Sequence, residues 1–226
     1  MHKLALNSMK YKKAELPRIG LYRSCDVVIS LFALVLLIPL FASVAIIVLV
    51  ALGRPVFFVQ ERTGLMGEIF LMFKFRTLAK LEGDNLDTES SYQKKSSDSC
   101  CEFLLGMLRD LKLDELPQFW NVLRGDMSLV GPRPEQPHIH RELCKSIPGF
   151  DQRLSLKPGI TGWAQIHEPQ AQALGDAARK LAWDRHYIEN QSMWLYFKIL
   201  TLTLGVLFVE LPCRKGRQSF GLSRTP

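Results

Sequence analysis

VVISLFALVLLIPLFASVAIIVLVAL, residues 27–52, contains no charged side chain. About 20 consecutive apolar residues suffice for a helix to cross the hydrocarbon core of a bilayer, so the run is long enough to enter a membrane. It is too long for a signal peptide, and no small-residue cleavage site follows it. Pro39 sits at its centre, where a missing backbone N–H and a ring clash bend a helix sharply. The flanks are basic on both sides: Lys10, Lys12, Lys13, Arg18 and Arg23 before, then Arg54, Arg62, Lys74 and Arg76 after. Lys and Arg collect on cytoplasmic flanks, so two basic flanks suit a bent hairpin that enters and leaves by one face. A single span with a tolerated proline is the alternative.

Working outward, the 226 residues suffice for one globular domain beside this segment. The formal charge of +7 (29 basic against 22 acidic residues) suits a phosphate-rich partner: anionic lipid, nucleotide or nucleic acid. Nucleic acid fits worst, because the bases are dispersed and no nucleic-acid-binding motif is present. Cys25, Cys100, Cys101, Cys144 and Cys213 form no CxxC pair and read as free thiols in a reducing compartment.

After the apolar run, residues 55–75 read as two short strands, VFFVQ and EIFLMF, joined by a Gly-containing turn. LEGDNLDTESSYQKKSSDS reads as a polar surface loop. Glu102–Leu111 is helix-like, a second helix starts near Asp114, and the stretches GDMSLVGPRPEQP and KPGITGWAQIHEP read as loops. A helical stretch follows from about Ala171 to Asn190. The strongly apolar MWLYFKILTLTLGVLFVELP reads as a buried helix, an interfacial helix or a second span, and its periodicity does not decide between them.

The chemistry concentrates in LRDLKLDELPQFWNVLRGDMSLVGPRP, Leu108–Pro134. Leu116, Phe119, Trp120 and Leu123 fall at i, i+3, i+4 and i+7, the mark of one buried helix face. Pro117 belongs in the first turn of that helix, with Asp114 at the N-cap, Glu115 just inside and Gly125 ending it. An Asp-Glu pair before a helix is usually only a cap. Here it has company: helix N-termini attract phosphate, and paired carboxylates with bound phosphate can hold Mg²⁺. An ionised carboxylate can attack phosphorus, and Arg109, Arg124 and Arg133 lie near it in sequence to balance phosphate charge.

These motifs together resemble the bacterial sugar transferase family, the monotopic phosphoglycosyl transferases. The resemblance runs from about Tyr22 to Phe208. It rests on the apolar hairpin with its central proline, QERTG (60–64), KFRT (74–77), LDELPQ (113–118), NVLRGDMSLVGPRP (121–134) and KPGITGWAQ (157–165). It implies that Asp114 is the nucleophile and Glu115 the other half of a catalytic dyad, both holding Mg²⁺. Arg109 and Arg133 match family arginines that hold phosphate, and Arg62, Lys74 and Arg76 join them as candidate substrate ligands. The implied reaction takes a sugar 1-phosphate from a UDP-sugar to polyprenyl phosphate, on the cytoplasmic face of the bacterial inner membrane. Membrane lipids are the further partner; homo-oligomerisation is open.

The expected fold is α+β and mostly helical. Its parts are a basic segment (1–21), a re-entrant hairpin (22–54), a cytoplasmic catalytic domain (55–190), an apolar interfacial helix (191–213) and a basic tail (214–226). Departures from the family pattern are local. Where an Asp-Pro-Arg and then a Gly-Arg pair are usual, this chain has Asp98-Ser99-Cys100 and Leu105-Gly106, so two basic positions are absent. Ile166-His167-Glu168 replaces an Asn-Gly-Arg-like turn. Two other readings follow: a non-catalytic scaffold of a glycan assembly complex, and a metal-dependent lipid-phosphate hydrolase.

Overall fold

A computed structural model describes residues 16–80, 92–93, 99–168 and 174–217. Most of the polar loop after Lys80, the N-terminal basic segment up to residue 15 and the tail from residue 218 lie outside the described residues.

Helix α1 (Leu16–Leu36) and helix α2 (Ile38–Leu52) form a bent pair across the apolar run where a hairpin is expected, with a bend of 64° at Leu37. The bend has a covalent cause. Pro39 occupies the first turn of α2 and has no N–H to continue the α1 ladder, so the last bond before it is Leu37 N–H to Ala33. No single described helix is long and apolar enough to cross a membrane; the bent pair is, by length and composition.

Strands β1 (Phe57–Thr63) and β2 (Ile69–Phe75) pair antiparallel, Phe57 opposite Phe75 and Thr63 opposite Ile69. Gln60, Arg62 and Met72 turn inward, while Val59, Glu61, Ile69 and Leu71 stay exposed. The two-residue strands β3 (Ala79–Lys80) and β4 (Tyr92–Gln93) form a second pair. Helix α3 (Ser99–Asp110) leads through a 3-10 turn at Leu113–Glu115 into helix α4 (Gln118–Arg124), which ends on Gly125 at φ +93°.

The stretches expected as loops contain a short parallel pair, β5 (Ser128–Val130) with β6 (Gly159–Thr161). Here two backbones press together: a Cβ on Gly131 would come within 2.3 Å of the Lys157 carbonyl oxygen. Only glycine fits that approach. Helix α5 (Pro137–Ser146), a 3-10 segment (Phe150–Ser155), helix α6 (Trp163–His167), helix α7 (Leu174–Glu189) and helix α8 (Met193–Arg217) complete the chain.

The main core gathers Met72, Val122, Met127, Leu129, Val130, Tyr187, Tyr196 and Ile199 from β2, α4, β5, α7 and α8. A second cluster joins Val44 and Val48 of α2 to Phe75, Leu105 and Leu108. Both arms of the hairpin therefore rest on one body: α1 packs on α4 and β5, α2 on α3 and β2. Polar ties fix each arm. Arg23 donates to the Val122 and Leu123 carbonyls at the end of α4, at 2.5 and 2.7 Å. Arg76 donates to the Leu52 and Gly53 carbonyls at the end of α2, at 2.6 and 2.7 Å. Asp26, buried in α1, accepts from Ser128 Oγ, Leu129 N–H and Tyr196 Oη on one oxygen, at 3.1, 2.9 and 2.7 Å.

Candidate active site

The turn that carries the two acidic residues begins at Lys112, whose φ of +58° reverses the chain after α3. The next backbone bonds all span three residues: Glu115 N–H to Lys112, Leu116 to Leu113, Phe119 to Leu116 and Trp120 to Pro117. Asp114 is therefore in a 3-10 turn rather than at the N-cap of α4, a position Pro117 takes. The cause is Pro117 itself, which has no N–H to close an α-helical bond back to Leu113. Unlike a cap, Asp114 leaves Oδ1 buried with no hydrogen-bond partner.

Glu115 has the opposite surroundings. Its Oε1 accepts from Lys74 Nζ at 3.2 Å and from Arg133 Nη2 at 2.7 Å. Burial alone would raise its pKa, but the charges of Arg133 and Lys74 outweigh it and hold Glu115 far below the usual carboxylate range. Burial and then the neighbouring Glu115 charge push Asp114 up to about 6. Two adjacent carboxyls with pKa values driven apart mark a site of chemistry more often than of structure. Asp114 Oδ1 has no hydrogen-bond partner and Glu115 is the next residue, so these two carboxylates are the donors a divalent cation would use. No group of three or more His, Cys, Asp or Glu forms a metal site among the described residues. The donor set fits Mg²⁺, which commonly takes one or two protein carboxylates and completes its shell with water and substrate phosphate.

Residues 18–210 match the family described as bacterial sugar transferase. This chain belongs to that family. It is 33% identical over 192 residues to the UDP-N-acetylgalactosamine-undecaprenyl-phosphate N-acetylgalactosaminephosphotransferase of Aeromonas hydrophila, covering 85% of this chain and 44% of that one. It is 36% identical over 192 residues to the UDP-glucose:undecaprenyl-phosphate glucose-1-phosphate transferase of Escherichia coli K12, covering 84% and 40%. The uncharacterized sugar transferase EpsL of Bacillus subtilis is 36% identical over 197 residues, covering 84% of this chain and 88% of that one. The chain thus spans less than half the length of the first two relatives.

Within this chain the other candidate ligands fall in different places. Lys74 and Arg133 converge on Glu115. Arg109, one turn before the acidic pair, donates to the Thr77 carbonyl at 2.5 Å. Arg62 is buried and donates to Gln60 Oε1 at 2.5 Å and to the Pro134 carbonyl at 3.2 Å, which ties the hairpin to the Gly-Pro-Arg-Pro loop. Arg76 faces the end of α2, as described above. Arg124 pairs with Asp126 at 3.3 Å at the surface.

The buried face of α4 also differs from the sequence expectation. Gln118, Asn121 and Val122 face inward, while Trp120 is 54% exposed. Asn121 explains the rotation. Its Nδ2 donates to the Leu71 carbonyl at 2.7 Å and its Oδ1 accepts from Phe73 N–H at 3.0 Å, so its amide closes the open edge of β2 as a third strand would. A polar residue on a helix carries no local sign of such a partner. Arg153 and Asp184, which shape the Gly-Pro-Arg-Pro loop, were equally silent: they pair across 31 positions of sequence.

Proposed function

We propose that this protein is a phosphoglycosyl transferase that moves a sugar 1-phosphate from a UDP-sugar to polyprenyl phosphate, releasing uridine monophosphate. The observation that carries the reading is the buried, unpartnered Asp114 Oδ1 beside a Glu115 neutralised by Lys74 and Arg133. The names of the Aeromonas and Escherichia relatives support the same substrate classes.

In the first half-reaction Asp114 Oδ1 attacks the sugar-linked phosphorus. The phosphoanhydride bond breaks, its electrons leave with uridine monophosphate, and the phospho-sugar stays on the aspartate as an acyl phosphate. In the second, an oxygen of polyprenyl phosphate attacks the same phosphorus, and the bond to Asp114 breaks to restore the carboxylate. Burial raises the basicity of Asp114, and its Oδ1, which has no hydrogen-bond partner, has none to shed before it attacks. Arg133 supplies a planar pair of donors for phosphate oxygens, with Lys74 and Arg109 as further cations of the site. Asp114 and Glu115 would hold Mg²⁺, which would neutralise charge on the diphosphate.

The membrane setting follows from the hairpin. Val28, Leu31, Phe32, Val35, Ile46 and Val50 leave its outer surface apolar and exposed. Both arms are tied to one body, which supports a re-entrant segment over a span, and the basic flanks on both sides support the cytoplasmic face for that body. The test is turnover by the purified protein in detergent, offered UDP-sugars and polyprenyl phosphate with Mg²⁺. Release of uridine monophosphate dependent on the lipid phosphate supports the reading. Sugar phosphate freed without any lipid acceptor means a hydrolase, and no turnover with any nucleotide sugar means a scaffold.

A further inference from the structure

The loop Pro132–Glu135 has no regular structure, yet each of its four carbonyls accepts a hydrogen bond, from donors on β1, the 3-10 segment after α5 and β6. Gly159 N–H donates to Pro132 at 3.0 Å, Arg153 Nη2 to Arg133 at 3.0 Å, Arg62 Nη1 to Pro134 at 3.2 Å and Thr63 N–H to Glu135 at 2.9 Å. Three of these donors are backbone groups or lie on the neighbouring strand. Arg153 comes from the 3-10 segment after α5, and it grips the residue whose side chain reaches Glu115.

Arg153 is itself held from three sides. Its Nε donates to Asp184 Oδ2 at 2.7 Å, its Nη1 lies 3.6 Å from Glu135 Oε1, and its guanidinium stacks over the Phe150 ring at 4.7 Å. Arg153 is 4% exposed and Asp184 1%. A buried ion pair is a poor source of stability, because desolvation offsets the attraction and apolar residues of the same volume serve as well. What it provides is a planar donor fixed at one point, and that point is the Arg133 carbonyl.

We propose that Arg153, locked by Asp184, is a positioning residue that sets the direction of the Arg133 guanidinium toward Glu115 and the transferring phosphate. The inference rests on the transferase reading above. Arg133 is 36% exposed along its side chain, so the position of its backbone helps to decide how its guanidinium meets Glu115. A displacement near 1 Å of a group that orients a reacting phosphate costs on the order of 100-fold in rate.

The test is a double-mutant cycle in kcat/KM with Mg²⁺, UDP-sugar and polyprenyl phosphate. Arg153→Lys keeps a cation beside Asp184 but cannot also reach the Arg133 carbonyl in the same plane. It is expected to lower kcat/KM by about 10- to 100-fold in the parent, but by no more than about 3-fold in Arg133→Lys, where the group it positions is already impaired. Asp184→Asn, which keeps shape and an acceptor oxygen, is expected to show the same coupling with a smaller loss. Melting temperatures of all variants separate folding from positioning, and if Arg153→Lys does not fold, Asp184→Asn carries the cycle. Equal fold-losses in the parent and Arg133→Lys backgrounds, or no loss in an active parent, overturn the positioning role. A folded parent with no turnover of any nucleotide sugar overturns the transferase reading and this inference with it.

Discussion

Lys74 and Arg133 both donate to Glu115 Oε1, at 3.2 and 2.7 Å, while Asp114 one residue earlier buries Oδ1 without a partner. The arrangement divides labour between two carboxyls of one turn. Glu115 gathers the cations and stays ionised; Asp114 is left desolvated and basic. A structural acid pair would share its cations, because each burial penalty must otherwise be offset elsewhere in the fold.

Stability should therefore move in opposite directions for the two acids. The folded pKa of Asp114, about 6, lies above its ordinary 3.8, so the folded state holds the proton more tightly and stability falls as pH rises across that interval. Without Mg²⁺ or substrate, Asp114→Asn should raise stability at pH 7–8 by on the order of 1–2 kcal/mol and leave it nearly unchanged at pH 4. Glu115 is the reverse case. Its depressed pKa adds stability above the ordinary 4.5 that is lost as pH falls toward the folded value, so Glu115→Gln should lower the melting temperature at pH 7. Thermal unfolding across pH in a chelating buffer reads both signs, and a destabilised Asp114→Asn at pH 8 would return Asp114 to a structural role.

Asn121 should be costly to replace although it touches no substrate in the proposed reaction. Asn121→Ala strands Phe73 N–H and the Leu71 carbonyl at the edge of β2, so the expected loss is about 2–4 kcal/mol, seen in chemical or thermal unfolding. Asn121→Asp keeps the acceptor for Phe73 but presents a carboxylate to the Leu71 carbonyl, and should be no better. A loss below about 0.5 kcal/mol for Asn121→Ala would mean that water satisfies that edge.

Much of this architecture was legible locally. The bent helix pair follows from an uncharged run and one proline, the β1–β2 pair from two short apolar runs about a Gly-containing turn, and the acidic pair and Arg133 from motifs of contiguous residues. What escaped depended on partners far along the chain. The exposed Trp120 and the buried Gln118 and Asn121 invert the hydrophobic pattern of α4, because hydrogen bonds to β2 outweigh apolar burial there. The β5–β6 pair has three residues per strand and no periodicity to read. The 3-10 turn at Leu113–Glu115 comes from a proline that also fits the first turn of an ordinary helix.

Arg133→Lys keeps the charge but loses the planar fork, so kcat/KM should fall by about 10-fold or more with little change in melting temperature. Arg124, paired at the surface with Asp126, should tolerate the same change within about 2-fold. Near-normal turnover by Arg133→Lys would confine that arginine to neutralising Glu115.

Topology can be read by labelling in intact cells. With the native cysteines replaced, single cysteines at exposed Gly20, near the start of α1, and at exposed Glu68, beyond α2, report on the two ends of the bent pair. Both should resist an impermeant reagent until the membrane is opened. Pro39→Leu restores the N–H whose loss bends the pair, and should shift a fraction of molecules to a spanning form with one of the two sites labelled from outside. Labelling of only one site in the parent would show that the segment spans.

The covalent step offers the sharpest test of Asp114. With UDP-sugar and Mg²⁺ but no lipid, the protein should release about one uridine monophosphate per active site and then stop, because the acyl phosphate has no acceptor. The sugar phosphate should stay with the denatured chain, be freed by hydroxylamine, which attacks acyl phosphates, and pass to polyprenyl phosphate when that lipid is added. Steady-state kinetics with both substrates should be ping-pong. Asp114→Asn keeps the side-chain shape but presents an amide, so it should abolish the burst, the label and turnover while remaining folded. Glu115→Gln should slow the burst strongly, because it removes the charge on which Arg133 and Lys74 converge. Turnover by Asp114→Asn at a rate near the parent's would exclude the aspartyl route, and a label on the parent that resists hydroxylamine would put the phospho-sugar on another side chain.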